Sequence, residues 1–359
     1  MKKFKKLIVP IAIVVILAAF AGAIYYSKVI KPAKEVDEMA GYNANDYIEL
    51  GKYKDFKYVI SQKKFDDLLA EKTYSAETVD RAAKKGDEVE VSYTGLINKK
   101  KVDDLSQKDI GIDIGDKDNN KFLTDISNAV IGCKKGDIKT VKEIGAVASK
   151  ASKSKKKYKE PVTFKVKVLG VSEVTYAKVT DEWVKDESDE DVDTAKEFYD
   201  VLETTLDENA MADLWQRAID NAKMSSWPPE LYKQAKEEEE ADAAYNADQF
   251  NMTLDEWYAM NNQTEEDLDK EYLNSVKSTL VMWAIVKKEH ITASDDEITE
   301  KYNELFEELK ESDNQYKTID DVKKDYSKDE IREAVLLQKC QQFVYDNSTV
   351  KKTYKVPQA

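Results

Sequence analysis

Few residues in this chain of 359 can do proton or nucleophilic chemistry. There is one histidine, His290, in a helical stretch where a surface or helix-end role suffices, and this argues against the usual acid–base triads. Cys133 and Cys340 stand far apart, outside any CxxC or Cys/His cluster, so no zinc site is expected. They read as free thiols, with a disulfide as the alternative in an oxidising compartment. Acidic runs such as Lys236–Asp242 read as solvated helix faces rather than metal ligands. The stretch 86–97, GDEVEVSYTGLI, is more informative. Val89, Val91 and Tyr93 alternate with Glu88, Glu90 and Ser92, which is the pattern of a half-buried strand presenting one aromatic side chain inward.

The elements that must hold such a strand follow along the chain. YIEL and FKYVI are short strands, and a helical piece surrounds Phe65–Lys72. From Gly86 to Ser172 the pattern is β-rich: VEVSY, IGIDI, IKTV and VTFKVKVLGV, with the helical segment FLTDISNAVIG between the second and third. After Thr180 glycine nearly vanishes and helix signals dominate. Between Asp181 and Asp200 there are ten acids and two lysines. Thr180 is an N-cap, while Thr253 with Glu256 and Ser294 with Glu297 form capping boxes. Tyr272, Val276, Leu280, Trp283 and Ala284 share a helix face. Trp227-Pro228-Pro229 separates two helices.

The net charge of −15 argues against a nucleic-acid partner. At the N-terminus, MKKFKK precedes twenty uncharged residues, Leu7–Tyr26, enough to span a bilayer with the N-terminus cytoplasmic. A secretory signal cleaved at Ala19-Phe20-Ala21 or Ala21-Gly22-Ala23 is the alternative, which would make the protein secreted. Either places the body outside the cytoplasm. The lysine-rich stretch Lys150–Lys159 stands out in an acidic chain. It reads as a solvated loop, or as a contact with anionic polymer or lipid headgroups.

GDEVEVSYTGLI, VDD, IGIDIG, FLTDISNAVIGCKKGDIKTV and VTFKVKVLGV, in that order and spacing, resemble an FKBP-type peptidyl-prolyl isomerase domain. VTDEWV, WPPELYKQ, MTLDEWYAMNNQTEEDLDKEY, VMWAIVKKEHITASDDEI and IREAVLLQKCQQFVYDN resemble the C-terminal chaperone domain of bacterial trigger factor. YIELGKYKDFKYVI resembles the segment leading into the isomerase domain, and the likeness covers residues 46–355. The family's ribosome-binding domain has no counterpart, so no ribosome binding is expected.

The resemblance implies an α+β chain, a small antiparallel FKBP-like sheet domain with one short helix and then an all-α domain, and the apolar stretch 7–26 adds a transmembrane helix ahead of them. The expected boundaries are 1–6 cytoplasmic stub, 7–26 anchor or signal, 27–45 linker, 46–85 lead-in, 86–172 isomerase domain and 176–359 helical domain. The resemblance also implies prolyl isomerisation and binding of unfolded polypeptides, with no cofactor; the N-terminal stretch makes these exported polypeptides. Rotation about an X–Pro bond requires a dry pocket that favours the twisted amide over the planar one, not a nucleophile or metal. By match to the family pattern, the catalytic residues are Tyr93, Asp103, Phe122, Leu123 and Phe164, with Val102, Ile110 and Ile126 binding substrate. The Leu123 amide would hold the substrate carbonyl. The family has aromatics where Val102 and Ile126 stand, Thr124 and Asp125 replace a glycine-containing pair, and the flap after Val141 lacks a tyrosine that only Tyr158, from a distance, would replace. These departures imply weak isomerase activity, or a degenerate domain in a tethered holdase or scaffold.

Overall fold

The computed structural model describes residues 41–357, apart from 117–118, 155, 262 and 313–315. The anchor or signal expected at 7–26 lies outside the described residues, among which no helix is long and apolar enough to cross a membrane. In chain order the elements are β1 (Ile48–Glu49), β2 (Lys57–Ile60), α1 (Gln62–Thr73), β3 (Tyr74–Thr78), β4 (Asp87–Ile97), β5 (Lys100–Asp113), α2 (Lys121–Val130), β6 (Ile138–Glu143), α3 (Gly145–Ala148) and β7 (Val162–Tyr176). Then come α4 (Asp181–Glu187), α5 (Ala195–Asn221), β8 (Lys223–Met224), α6 (Pro229–Gln249), α7 (Leu254–Met260), α8 (Glu265–Glu289), α9 (Asp295–Ser312), α10 (Ile319–Asp325), α11 (Lys328–Asp346) and β9 (Thr349–Lys352).

Contacts divide the chain into two units. One, the sheet unit, is continuous over 66–200; the other, the helical unit, combines the chain up to Phe65 with 201–356. In the helical unit β1 pairs antiparallel with β8. Strand β2 pairs parallel with β9, Lys57 opposite Thr349 and Ile60 opposite Lys352. The expected all-α part thus carries two short strands, each completed by a strand from the lead-in segment.

The helices begin where the capping chemistry requires. Thr180, Thr253, Thr264 and Ser327 each accept an N–H from the first turn through their side chains. Ser294 and Glu297 exchange the two bonds of a capping box. Helix α8 ends at His290, whose φ of 56° makes it a left-handed cap. The sequence stripe Tyr272, Val276, Leu280, Trp283 and Ala284 is buried, and Val281, Met282, Ile285 and Val286 are buried too. The second half of α8 is therefore enclosed on all sides rather than along one stripe. Leu202, Leu206, Ala210, Leu214 and Ala218 bury one face of α5.

The sheet unit is built on a five-stranded antiparallel sheet: β3, β7, β4 and β5 in order, with β6 also pairing β7. Asn98 and Lys99, with φ of 50° and 64°, form the tight turn between β4 and β5. The inward side chains Val89, Val91, Tyr93, Phe164, Val166 and Val168 pack with Phe122, Ile126 and Val130 of α2. The spacing of these three α2 residues sets them on one helix face. At Gly95 the strands come so close that a Cβ would stand 2.6 Å from both Cβ and the carbonyl oxygen of Leu105. Arg81 clamps the start of β4 with two bonds to the buried Asp87 carboxylate, of 2.6 and 2.8 Å.

Candidate isomerase site

Three aromatic rings from three elements meet under the sheet. Tyr93 of β4 meets Phe122 of α2 edge-on, with centroids 5.3 Å apart, and Phe164 of β7 edge-on at 5.7 Å. Phe122 and Phe164 lie 4.7 Å apart. These are the favourable geometries for aromatic pairs. Ile126 packs beside them in the same core, while Val102, Ile110 and Leu123 are partly exposed against it. Seven of the eight expected site residues thus belong to one apolar cluster.

The trio is sealed: Tyr93 is 4% exposed, Phe122 1% and Phe164 0%. The Tyr93 hydroxyl donates to Gln107 Oε1 at 3.0 Å, and burial raises its pKa to about 12. Of the expected site residues in the cluster, Val102, Ile110 and Leu123 are the ones that remain partly exposed. The Leu123 amide, expected to hold a substrate carbonyl, is already engaged. Asn120 caps α2, its Oδ1 accepting from the N–H groups of Phe122 at 3.0 Å and Leu123 at 3.2 Å.

Asp103 does not join the cluster. Its side chain is 88% exposed and pairs with Lys101 at 2.6 Å. The lysine's hydrogen bond and charge lower the carboxyl's pKa. Its neighbour Asp104 is the carboxylate that the structure builds into the site. It accepts from the Tyr158 hydroxyl at 2.6 Å, Ser152 Oγ at 2.7 Å and the Ser154 amide at 2.8 Å. Burial opposes ionisation there, yet these donors outweigh it and hold Asp104 well below the usual carboxylate range. The bond to Asp104, with burial, pushes Tyr158 up to about 12. Tyr158, distant in sequence, is buried in the same core. The Asp104 bonds therefore fasten the lysine-rich stretch to β5. The match to the family pattern takes Asp103 as the acid of the VDD motif, whereas Asp104 is the one that turns toward Tyr158.

Cys133 and Cys340 are both buried free thiols. Trp215 and Trp283 are buried, whereas Trp227, Tyr245, Phe250 and Met260 are exposed in the helical unit. A separate open cleft of about 320 Å³ is lined by Leu69, Thr73, Tyr176, Val179 and Tyr199 among others, and shares no residue with the trio.

Two known families match successive stretches of the chain. The FKBP-type peptidyl-prolyl cis-trans isomerase family matches residues 79–169. The bacterial trigger factor protein C-terminus matches residues 191–346. Along the chain, a segment similar to the FKBP-type family is thus followed by one similar to the trigger factor C-terminus. Among curated relatives, trigger factor of Levilactobacillus brevis is 26% identical over 279 residues, 72% of this chain and 62% of that protein. Trigger factor of Caldicellulosiruptor saccharolyticus is 24% identical over 339 residues, 86% of this chain and 73% of that protein. The match thus spans less than two thirds of the first of these relatives. A solved trigger factor chaperone chain is 16% identical, covering 83% of this chain and 72% of that one, with a TM-score of 0.32.

Proposed function

We propose that this protein is a foldase of the trigger factor kind, held outside the membrane by residues 7–26, acting on exported polypeptides rather than at the ribosome. The observation that carries its chemistry is the trio Tyr93, Phe122 and Phe164 beneath the partly exposed Val102, Ile110 and Leu123, within the FKBP-matched segment. A proline ring entering past that rim leaves water for an aromatic floor. There the planar amide loses the solvation of its charge-separated form, and the twisted amide is relatively favoured. The barrier to be lowered is roughly 18–20 kcal/mol. No proton transfer is needed, which fits the buried, un-ionised Tyr93. The helical unit supplies weak, broad client contacts through exposed side chains such as Trp227, Tyr245, Phe250 and Met260. The extracytoplasmic placement rests on the basic-then-apolar stretch at residues 2–26.

A second reading, a tethered holdase without catalysis, is favoured by one observation: the trio is sealed and the Leu123 amide is already capped. Proline-limited refolding of a model client separates the two. Under the first reading the protein accelerates the slow phase, and Leu123→Ser with Ile110→Ser, both at the partly exposed rim, slows it without loss of fold. If neither protein accelerates refolding yet both suppress client aggregation, the isomerase reading fails and the holdase stands.

A further inference from the structure

Positive charge in this acidic protein is concentrated in one stretch of the sheet unit. Residues 134–167 contain twelve lysines, no arginine and three acids, Asp137, Glu143 and Glu160, while the whole chain carries −15. Strand register gathers part of this charge on the outward face of the sheet. Lys165 stands opposite Thr140 on β6 and Thr94 on β4, and Lys167 opposite Ile138 and Ser92. Lys142 stands opposite Thr163, which faces Leu96, which in turn faces Lys101 of β5. Alternation places Lys142, Lys165 and Lys167 on the side away from Phe164 and Val166, and all three are exposed. Among the described residues none of the three is in an ion pair, whereas Lys101 pairs with Asp103. Ile138 lies on the same face, 62% exposed.

We propose that this sheet face docks on an anionic lipid surface. The inference rests on the tethered reading above, which keeps the protein beside a bilayer. The side-chain chemistry selects this occupant. Lysines act as point charges without the directional fork of arginine, so they suit a diffuse field of headgroups better than a shaped phosphate pocket. The exposed aromatic rings of this face, Tyr74 and Tyr176, lie at its far end, Tyr74 bonded to the Glu88 carboxylate, so none stands among the lysines to stack a nucleic-acid base. Ile138 supplies an apolar side chain able to enter the headgroup boundary beside the lysines. Docking would present the opposite, core-covered side of the sheet, with its Val102–Ile110–Leu123 rim, away from the membrane.

The test uses full-length protein reconstituted in vesicles of phosphatidylcholine alone or with added phosphatidylglycerol, carrying a headgroup-attached quencher. The chain bears a dye at Thr140→Cys; Cys133 and Cys340 are buried and do not compete for label. Quenching is expected only with phosphatidylglycerol, and is expected to vanish near 1 M salt, where screening acts over about 3 Å. Surface association falls roughly five-fold per lysine removed, so Lys142→Gln, Lys165→Gln and Lys167→Gln together lower the docked-to-free ratio about a hundred-fold. Equal quenching in both lipids, or a triple variant that docks as well as the parent, overturns the proposal. So does a dye that ignores lipid but responds to an acidic unfolded polypeptide, which would make the face a client contact. Protease accessibility of the body across the vesicle wall reports separately on the tether, and proline-limited refolding on the foldase reading.

Discussion

Replacing Asp104 by alanine separates the two adjacent aspartates and measures what holds the lysine-rich stretch in place. The carboxylate accepts three hydrogen bonds, from Tyr158, Ser152 and the Ser154 amide. A bond to a charged group contributes about 1.5–3 kcal/mol when its partner is well buried. Asp104 is only partly buried and water can replace some of these bonds, so the sum is discounted. A loss of about 2–3 kcal/mol from the sheet unit is expected, because Tyr158 is left buried without its acceptor. Urea titration followed through that unit should show the midpoint fall with an unchanged slope. Hydrogen exchange should quicken at the amides of Ser154, Lys156 and Tyr158, whose acceptors are Asp104, Ser152 and Ser149. Asp103→Ala, removing only an exposed pair with Lys101, should leave the midpoint unmoved. The sign with pH follows from a depressed folded pKa: the stabilisation is present above the ordinary carboxylate value of 3.8 and is lost as pH falls from there toward the folded value. If Asp104→Ala unfolds at the parent's midpoint with unchanged exchange, or Asp103→Ala is the damaging change, the account of the site is wrong.

Asn120→Ala should cost about 1 kcal/mol of stability, as the loss of an N-cap does, while freeing the Leu123 amide; if a client carbonyl binds there, the refolding rate per folded molecule rises rather than falls. Gly95→Ala drives a Cβ against Leu105 and should destabilise the sheet unit by about 1–3 kcal/mol, read by urea titration. Asp242, half-buried with Glu239 and Glu238 nearby and Oδ1 without a hydrogen-bond partner, has its pKa raised by burial and these charges to about 7. A raised carboxyl pKa stabilises at low pH, so the helical unit should weaken as pH climbs from about 4 to 7. Asp242→Asn should flatten that slope and add about 1 kcal/mol at pH 8, after discounting for partial exposure; an unchanged pH profile would count against the assigned shift.

The sequence made legible whatever depends on local pattern. Period-2 alternation located β4, the β-rich pattern located β7, capping residues located the starts of α4, α7 and α9, and the three aromatics named from the resemblance meet in one core. What escaped depends on irregular register or remote pairing. Between β4 and β5, Gly95 lies opposite Val102 but the preceding Thr94 lies opposite Ser106, so Asp103, Asp104 and Leu105 fall in a bulge. Counting along a regular strand from Tyr93 therefore cannot decide which aspartate turns inward. Strand β3, YSAET, is exposed at every position and carries no apolar alternation to betray it. The burial of Tyr158 depends on a hydroxyl bond across fifty-four positions of chain, which no local window contains.

The parallel pairing of β2 with β9 has a consequence for the order in which this chain acquires its structure. Ile60 is fully buried, yet its strand partner Lys352 lies 292 positions later. The strands of the sheet unit all lie within the uninterrupted stretch 66–200. As the polypeptide is made from its N-terminal end, that inserted stretch can fold while β2 still waits, and the helical unit closes only once its last strand has emerged. Clipping off residues 349–357 would leave the sheet unit intact and open the other at the place where its two ends meet.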